Sequence, residues 1–320
     1  MRELLPGTIL KDRYQIIKTE FWRTRGGVYE VWDKSVTEKR WIAREIIPRK
    51  DSPGNLLEKK ERILKMISRY RELEDTKLPK ILDYFEENYR QFLVIEHIDG
   101  INLEQFKEVI SRVSEKNAVK IGMSICKTLL NMESRGYPYF LFDLSLSHIM
   151  LNQEKEVRLT EPGFYKIFMV DDIEELFDNP SEKTESLISE LSGLVAKLLG
   201  IKPTHPLKPQ FEEARVSPQL AQLLMNTMEP GQKQFSELYL FYTALDKIIN
   251  PEKYKKIEEE IEKRKKERFK LRNIYLGEII KANLSSLFNF VKTQSNWAIF
   301  LESLGIILIF YSLLFTNFFQ

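Results

Sequence analysis

The chain has 320 residues, with 49 Lys and Arg against 47 Asp and Glu, and its net charge of +2 predicts no nucleic-acid partner. A hydrophobic fraction of 43% with 12% aromatic residues is typical of a folded protein and argues against bulk disorder. The single cysteine, Cys126, excludes a disulfide within the chain and a metal site made of cysteines alone.

The N-terminal third predicts strands around one helix. Apolar residues at helical spacing predict the helix over residues 55–73. Alternating β-branched and aromatic residues predict five strands, at residues 14–18, 27–32, 40–47, 81–86 and 91–96. From Leu103 to about Ile249 the pattern is mainly helical, with interruptions near Asp143 and Glu161.

The C-terminal part has a different composition. Residues 253–272 are dense in charge, with regular apolar positions at Tyr254, Ile257 and Ile261, so residues 251–296 are expected to form a solvated helical stalk. The stalk is also a candidate for self-association.

An apolar run follows the stalk. Residues 298–315 carry one charge, Glu302, and as a helix they would cover about 27 Å, close to the roughly 30 Å of a bilayer core. We therefore expect a transmembrane helix over residues 297–318, with a buried C-terminal helix as the alternative. Ten Lys and Arg lie between residues 252 and 272, and none follows Phe315. This bias predicts a single-pass membrane protein with its N-terminal part in the cytoplasm.

Residues 139–151 read Tyr-Phe-Leu-Phe-Asp-Leu-Ser-Leu-Ser-His-Ile-Met-Leu, which resembles the catalytic loop of bacterial Ser/Thr protein kinases. In that loop an Asp orients the substrate hydroxyl and an Asn holds a metal ion. Asp143 stands at the Asp position, whereas Phe142 replaces an Arg, Ser145 a Lys and His148 the Asn.

Other stretches resemble kinase motifs in the family's order, at residues 6–17, 78–88, 92–100 and 230–235. The resemblance implies an α+β, two-lobed kinase-like fold. The small strand-rich lobe would cover residues 6–98, and the larger helical lobe would cover residues 99–250.

The motifs that hold nucleotide in the family are altered. Of the glycine-rich loop only Gly26 remains, and Phe21 and Arg23 replace the first two glycines. Arg23 and Arg25 could contact phosphate or lie on an exposed hairpin. Arg44 replaces the strand Lys, with Glu61 as its expected helix partner and Glu58, one turn earlier, as the alternative. By resemblance, the positions of the nucleotide slot are Gly26, Val28, Arg44, Glu61, Glu96, Ile98 and Met150.

The metal-binding motif is altered too. Glu161-Pro-Gly resembles Asp-Phe-Gly, so Glu161 and His148 stand at the metal positions, although His148 suits Mg²⁺ poorly. Only about 30 residues separate Gly163 from the helix that contains Glu190, and they lack the Ala-Pro-Glu motif that docks a peptide substrate.

Three hypotheses follow. The leading one is a membrane-tethered pseudokinase that binds a cytoplasmic protein. It has no certain cofactor, and it could bind ATP with weak or absent binding of Mg²⁺ or Mn²⁺. The second is a divergent ATP-dependent Ser/Thr protein kinase that uses Asp143 as base and Glu161 as metal ligand. The third is a membrane adaptor in which the stalk recruits a partner.

Overall fold

The computed structural model describes residues 2–23, 26–36, 39–48, 53–73, 75, 77–110, 112–204, 206–229 and 235–294. The chain divides into two compact units, Met1–Asn250 and Pro251–Gln320.

The N-terminal lobe is built on an antiparallel sheet of six strands. These are β1 (Ile9–Leu10), β2 (Tyr14–Arg23), β3 (Gly26–Asp33), β4 (Arg40–Ile46), β5 (Ile81–Glu87) and β6 (Arg90–Glu96). Their order in the sheet is β1-β2-β3-β4-β6-β5. Asn88 and Tyr89 join β5 to β6, and their φ angles of 52° and 62° are the left-handed values that a tight two-residue hairpin requires.

One long helix, α1 (Pro53–Arg71), packs on this sheet. Its buried residues include Ile63, Met66 and Tyr70, each at most 4% exposed, at the three- and four-residue spacing of one helix face. They join Leu93 of β6 in one hydrophobic core. Because this apolar face of α1 is buried, it sets the rotation of the helix and so determines which polar residues of α1 face the rest of the lobe.

The C-terminal lobe is mainly helical. Its elements are β7 (Gly100–Asn102), α2 (Leu103–Val109), α3 (Glu115–Ser134), β8 (Ile149–Asn152), β9 (Val157–Leu159), α4 (Pro180–Leu198), α5 (Leu207–Glu213), α6 (Pro218–Met228) and α7 (Leu238–Ile249). Strands β7, β8 and β9 form a small antiparallel sheet. Gly122 allows α3 and α4 to pack closely, because a Cβ at this position would lie 2.8 Å from a methyl group of Val195.

The described residues of the second unit form the helix α8 (Pro251–Gln294), whose side chains are exposed over most of residues 251–278. The predicted transmembrane helix at 297–318 lies outside the described residues. Among the residues that are described, no helix is long and apolar enough to cross a bilayer.

The five predicted strands and the predicted N-terminal helix are confirmed as β2–β6 and α1. Strands β1 and β7–β9 are two to four residues long, too short for a clear alternation of side chains. The boundary between lobes at residues 98 and 99 stays a prediction, because residues on both sides belong to one compact unit.

Candidate functional site

Asp143 follows a 3₁₀ turn at Tyr139–Leu141, and polar groups surround its carboxylate. The backbone N–H of Ser145 donates to Oδ1 at 2.9 Å, and the Tyr165 hydroxyl donates to Oδ2 at 3.0 Å. Nδ1 of His148 lies 3.2 Å from the same Oδ2 and 2.9 Å from the Ser145 hydroxyl. His148, which stands at the family's metal-binding Asn position, therefore contacts Asp143 directly.

These contacts set the protonation of Asp143. Burial by itself would raise the pKa of this carboxyl. The hydrogen bond and charge of His148, together with the donors from Ser145 and Tyr165, outweigh burial and hold the pKa well below its usual range. Asp143 is therefore ionised at neutral pH and is a weak proton acceptor.

Arg44 and Glu161, the residues at the phosphate-binding and metal-binding positions, form an ion pair between Nη2 and Oε2. Glu161 is 1% exposed, and its other oxygen, Oε1, accepts a hydrogen bond of 3.0 Å from the Gly163 N–H. Both oxygens of Glu161 are therefore engaged within the protein.

The prediction that Arg44 pairs with Glu61 is wrong. Glu61 is exposed on α1, and Arg44 contacts Glu161 instead. Lys59 is the charged residue of α1 that faces inward. It is fully buried, and its Nζ donates to the Val170 carbonyl at 2.6 Å. The reason is the rotation of the helix, since Lys59 precedes the buried Ile63 by four residues and so lies on the same face.

Tyr165, which the sequence did not single out, connects the two halves of the site. Its hydroxyl donates to Asp143, and its ring centroid lies 5.7 Å from the guanidinium carbon of Arg44. Burial, followed by the charge of Asp143, raises the pKa of Tyr165, so the hydroxyl keeps its proton. A 3₁₀ turn at Phe164–Phe168 positions this side chain.

The turn depends on Gly163. Its φ of 74° is in the left-handed region, and a Cβ here would lie 1.8 Å from the Leu141 carbonyl oxygen. Glycine is therefore required where Glu161-Pro-Gly passes the catalytic loop.

Gly26 lies at the start of β3, where Arg23 of β2 pairs with it and Phe21 pairs with Val28. Its φ is 127°, and a Cβ would lie 2.1 Å from the Glu45 carbonyl oxygen, so this glycine permits close packing on β4. Residue 25 lies outside the described residues, and the side chains of residues 21 and 23 are not described either, so phosphate contact by Arg23 stays a prediction.

The remaining slot positions lie on β3, on β6, just after β6 and on β8. Val28 and Ile98 are each 8% exposed. Glu96, at the end of β6, accepts hydrogen bonds from the Lys80 N–H at 3.1 Å and from Arg158 at 3.3 Å. Met150 lies on β8. Their role in binding nucleotide stays a prediction.

The metal positions do not fit a hard divalent cation in this arrangement. Both oxygens of Glu161 are engaged, and His148 offers a nitrogen that already contacts Ser145 and Asp143. Among the described residues, no group of three or more His, Cys, Asp or Glu side chains could hold a metal ion. Binding of Mg²⁺ or Mn²⁺ at Glu161 and His148 stays a prediction.

Comparison with known proteins indicates the class of fold. No family model matches the chain. The Ser/Thr protein kinase tousled-like 2 of mouse and of human is 30% identical over 167 residues, which are 49% of this chain but 23% and 21% of those proteins. The chain thus spans less than a quarter of the length of these curated relatives.

Solved kinase structures match more of the chain. A variant of the PknI kinase domain of Mycobacterium tuberculosis has a TM-score of 0.55 and 14% identity, covering 77% of this chain and 99% of that domain. PpkA-294 in its apo form has a TM-score of 0.57 and 15% identity, covering 76% and 99%. The chain therefore has a two-lobed protein kinase-like fold. Within that class, its weak sequence homology is to Ser/Thr protein kinases.

Proposed function

We propose that the chain is a pseudokinase, a kinase-like module that binds and regulates a protein partner with little phosphoryl transfer. The observation that carries this proposal is the ion pair between Arg44 and the buried Glu161. Phosphoryl transfer depends almost wholly on positioning and on charge that neutralises the phosphates. In this chain the cation at the phosphate position and the anion at the metal position neutralise each other.

A nucleotide would have to compete with this arrangement. Separating the ion pair without a replacement would leave a buried charge, at a cost of roughly 3–5 kcal/mol. Tyr165 adds a second connection, because it contacts both Arg44 and Asp143. The site is therefore organised as a connected polar cluster, which suits a structural role.

Purified full-length chain incubated with labelled ATP and Mg²⁺ or Mn²⁺ tests the proposal. We expect no transfer above that of Asp143→Ala, and no metal-dependent rise in melting temperature with millimolar ATP. Robust transfer that Asp143→Ala abolishes would contradict the proposal.

A divergent Ser/Thr kinase is the second candidate. It is favoured by a polar cavity of about 630 Å³ that Asp143 lines together with Lys166, Glu190 and Lys197. A hydroxyl group could approach the ionised Asp143 from this cavity. For this candidate, Glu161→Ala should remove metal-dependent binding of ATP at a temperature where the destabilised variant is still folded.

We also propose that residues 297–318 tether the chain to a membrane as a single pass, with the kinase-like part in the cytoplasm. The uncharged run after Glu302 and the basic residues before it support this placement. Deleting residues 293–320 should release the protein from a membrane pellet into the soluble fraction. Unchanged sedimentation with membranes would contradict the anchor.

A further inference from the structure

A groove of about 620 Å³ lies between α1 and the segment that follows α3. This volume falls within the roughly 300–1,000 Å³ typical of binding sites. The described residues that line it do not include Arg44, Asp143 or Glu161. The groove is therefore separate from the candidate phosphotransfer site.

Aromatic rings form one wall of the groove. Tyr139 and Phe140 pack edge to face with centroids 6.0 Å apart, and Phe140 packs in the same way on Phe177 at 6.3 Å. Met66 and Tyr137, 4% and 3% exposed, also line the groove. This wall offers apolar contact to an inserted side chain.

A second wall of the groove is basic. Arg62, Lys65 and Arg69 occur at intervals of three and four residues on α1, so they share one helix face. Among the described lining residues Glu133 is the acidic one, and it accepts a hydrogen bond of 3.0 Å from the Tyr139 hydroxyl. The groove therefore carries an excess of positive charge beside an aromatic surface.

We propose that this groove docks an acidic segment of a partner protein, which inserts an aromatic or aliphatic side chain against Tyr139, Phe140 and Phe177. Arg62 already makes both kinds of contact within the chain. Its guanidinium carbon lies 4.4 Å from the centroid of the Phe177 ring, and its Nη2 lies 4.0 Å from Oε1 of Glu174. A recessed aromatic wall suits a peptide better than a flat anionic membrane. The proposal holds whether or not the chain transfers phosphate.

Selection of a random 12-residue phage-displayed peptide library on the full-length chain tests it. We expect enriched peptides to combine several Asp or Glu residues with at least one aromatic or large aliphatic residue. A synthetic peptide of the enriched sequence is then titrated by fluorescence anisotropy. Its affinity should fall about tenfold or more when the basic wall is neutralised by Arg62→Ser, Lys65→Ser and Arg69→Ser together.

A matched control removes three exposed charges from α3 instead, by Lys116→Ser, Lys120→Ser and Lys127→Ser. This variant should bind the peptide with an affinity within about twofold of the wild type, because these three lysines do not line the groove. If the first triple variant does not fold, the single exposed substitution Lys65→Glu should still weaken binding.

Three results would overturn the proposal. One is enrichment of peptides without acidic residues, and another is an equal loss of affinity in both triple variants. The third is binding to phosphatidylserine vesicles that the groove variant loses while no peptide is enriched, which would assign the basic wall to a membrane.

Discussion

At the scale of single residues, the ion pair of Arg44 with Glu161 joins a strand to the segment after β9, where the kinase family would join a strand to a helix. Arginine suits this arrangement because its planar guanidinium can contact a carboxylate and still lie against the Tyr165 ring. With Glu161 1% exposed, neither charge can be removed without affecting the other.

Glu161→Gln separates the two proposed functions. The amide keeps an oxygen for the Gly163 N–H but removes the charge that faces Arg44. We expect the free energy of unfolding to fall by roughly 3–5 kcal/mol. If the chain is a pseudokinase, the variant should also gain binding of tripolyphosphate in EDTA, because Arg44 is released from that carboxylate.

Isothermal titration calorimetry measures this gain, and Arg44→Gln combined with Glu161→Gln should abolish it. A loss of Mg²⁺-dependent ATP binding by Glu161→Gln, with no gain in EDTA, would favour the divergent kinase.

Asp33 makes stability depend on pH. Arg13 donates to both of its oxygens at 2.8 and 2.7 Å, and this hydrogen bonding, opposed by burial, lowers the pKa of Asp33 to about 2. The depressed pKa means that the stabilisation is complete above the unfolded-state pKa of 3.8 and is lost as the pH falls toward 2.

Asp33→Asn should therefore lower the free energy of unfolding by about 2 kcal/mol at pH 6 and by progressively less toward pH 2. Urea unfolding at several pH values measures the difference. Glu108→Gln, at an exposed position of α2, should show no such dependence. A constant difference across this range for Asp33→Asn would contradict the assignment.

At the scale of elements, α1 is held through Lys59 and Asn55, whose side chains donate to the carbonyls of Val170 and Asp171 at 2.6 and 3.1 Å. The shortened segment after Gly163 thus fixes the position of the helix, a role that the kinase family assigns to the strand Lys.

Lys59→Ala should loosen this connection. We expect the free energy of unfolding to fall by roughly 1–3 kcal/mol, because the Val170 carbonyl loses a charged hydrogen-bond donor at a buried site. Glu61→Ala, two residues along the same helix but exposed, should change stability by less than about 0.5 kcal/mol. Hydrogen exchange should accelerate in α1 and in residues 170–178 for the first variant alone. Equal exchange in both variants would contradict the anchor.

The sequence could predict strands and helices here because alternation and helical spacing are local properties. It could also place Asp143, His148, Arg44 and Glu161 by their motifs. It failed for Lys59, because a lysine within an apolar stripe is expected to extend to solvent, whereas this ammonium group donates to the Val170 carbonyl inside the protein. It failed for Tyr165 because the direction of that side chain depends on a 3₁₀ turn after Gly163.

At the scale of the whole molecule, one hydrophobic cluster extends across both lobes, while a second cluster lies within the N-terminal sheet. Tyr70 of α1 packs against Phe142 and Phe164 of the C-terminal lobe, with ring centroids 6.5 and 5.8 Å apart. The same cluster contains Leu93 of the sheet and Leu191 of α4. Because the buried residues are continuous across the two lobes, exposing one lobe would expose apolar surface of the other.

We therefore expect the two lobes to unfold together, and the chain carries a natural probe in each. Trp22, Trp32 and Trp41 report on the sheet by fluorescence. Cys126 is fully buried on α3, so its reaction with a thiol reagent reports on the helical lobe.

In urea, with Trp297→Phe to remove the tail signal, the fluorescence and thiol curves should coincide. Tyr70→Ala should shift both midpoints downward by the same amount, corresponding to about 3–5 kcal/mol, since it removes a ring from the shared core. Tyr89→Ala, at a side chain 82% exposed, should shift neither. Two separate transitions, with Tyr70→Ala moving one of them, would show that the lobes unfold independently despite the continuous core.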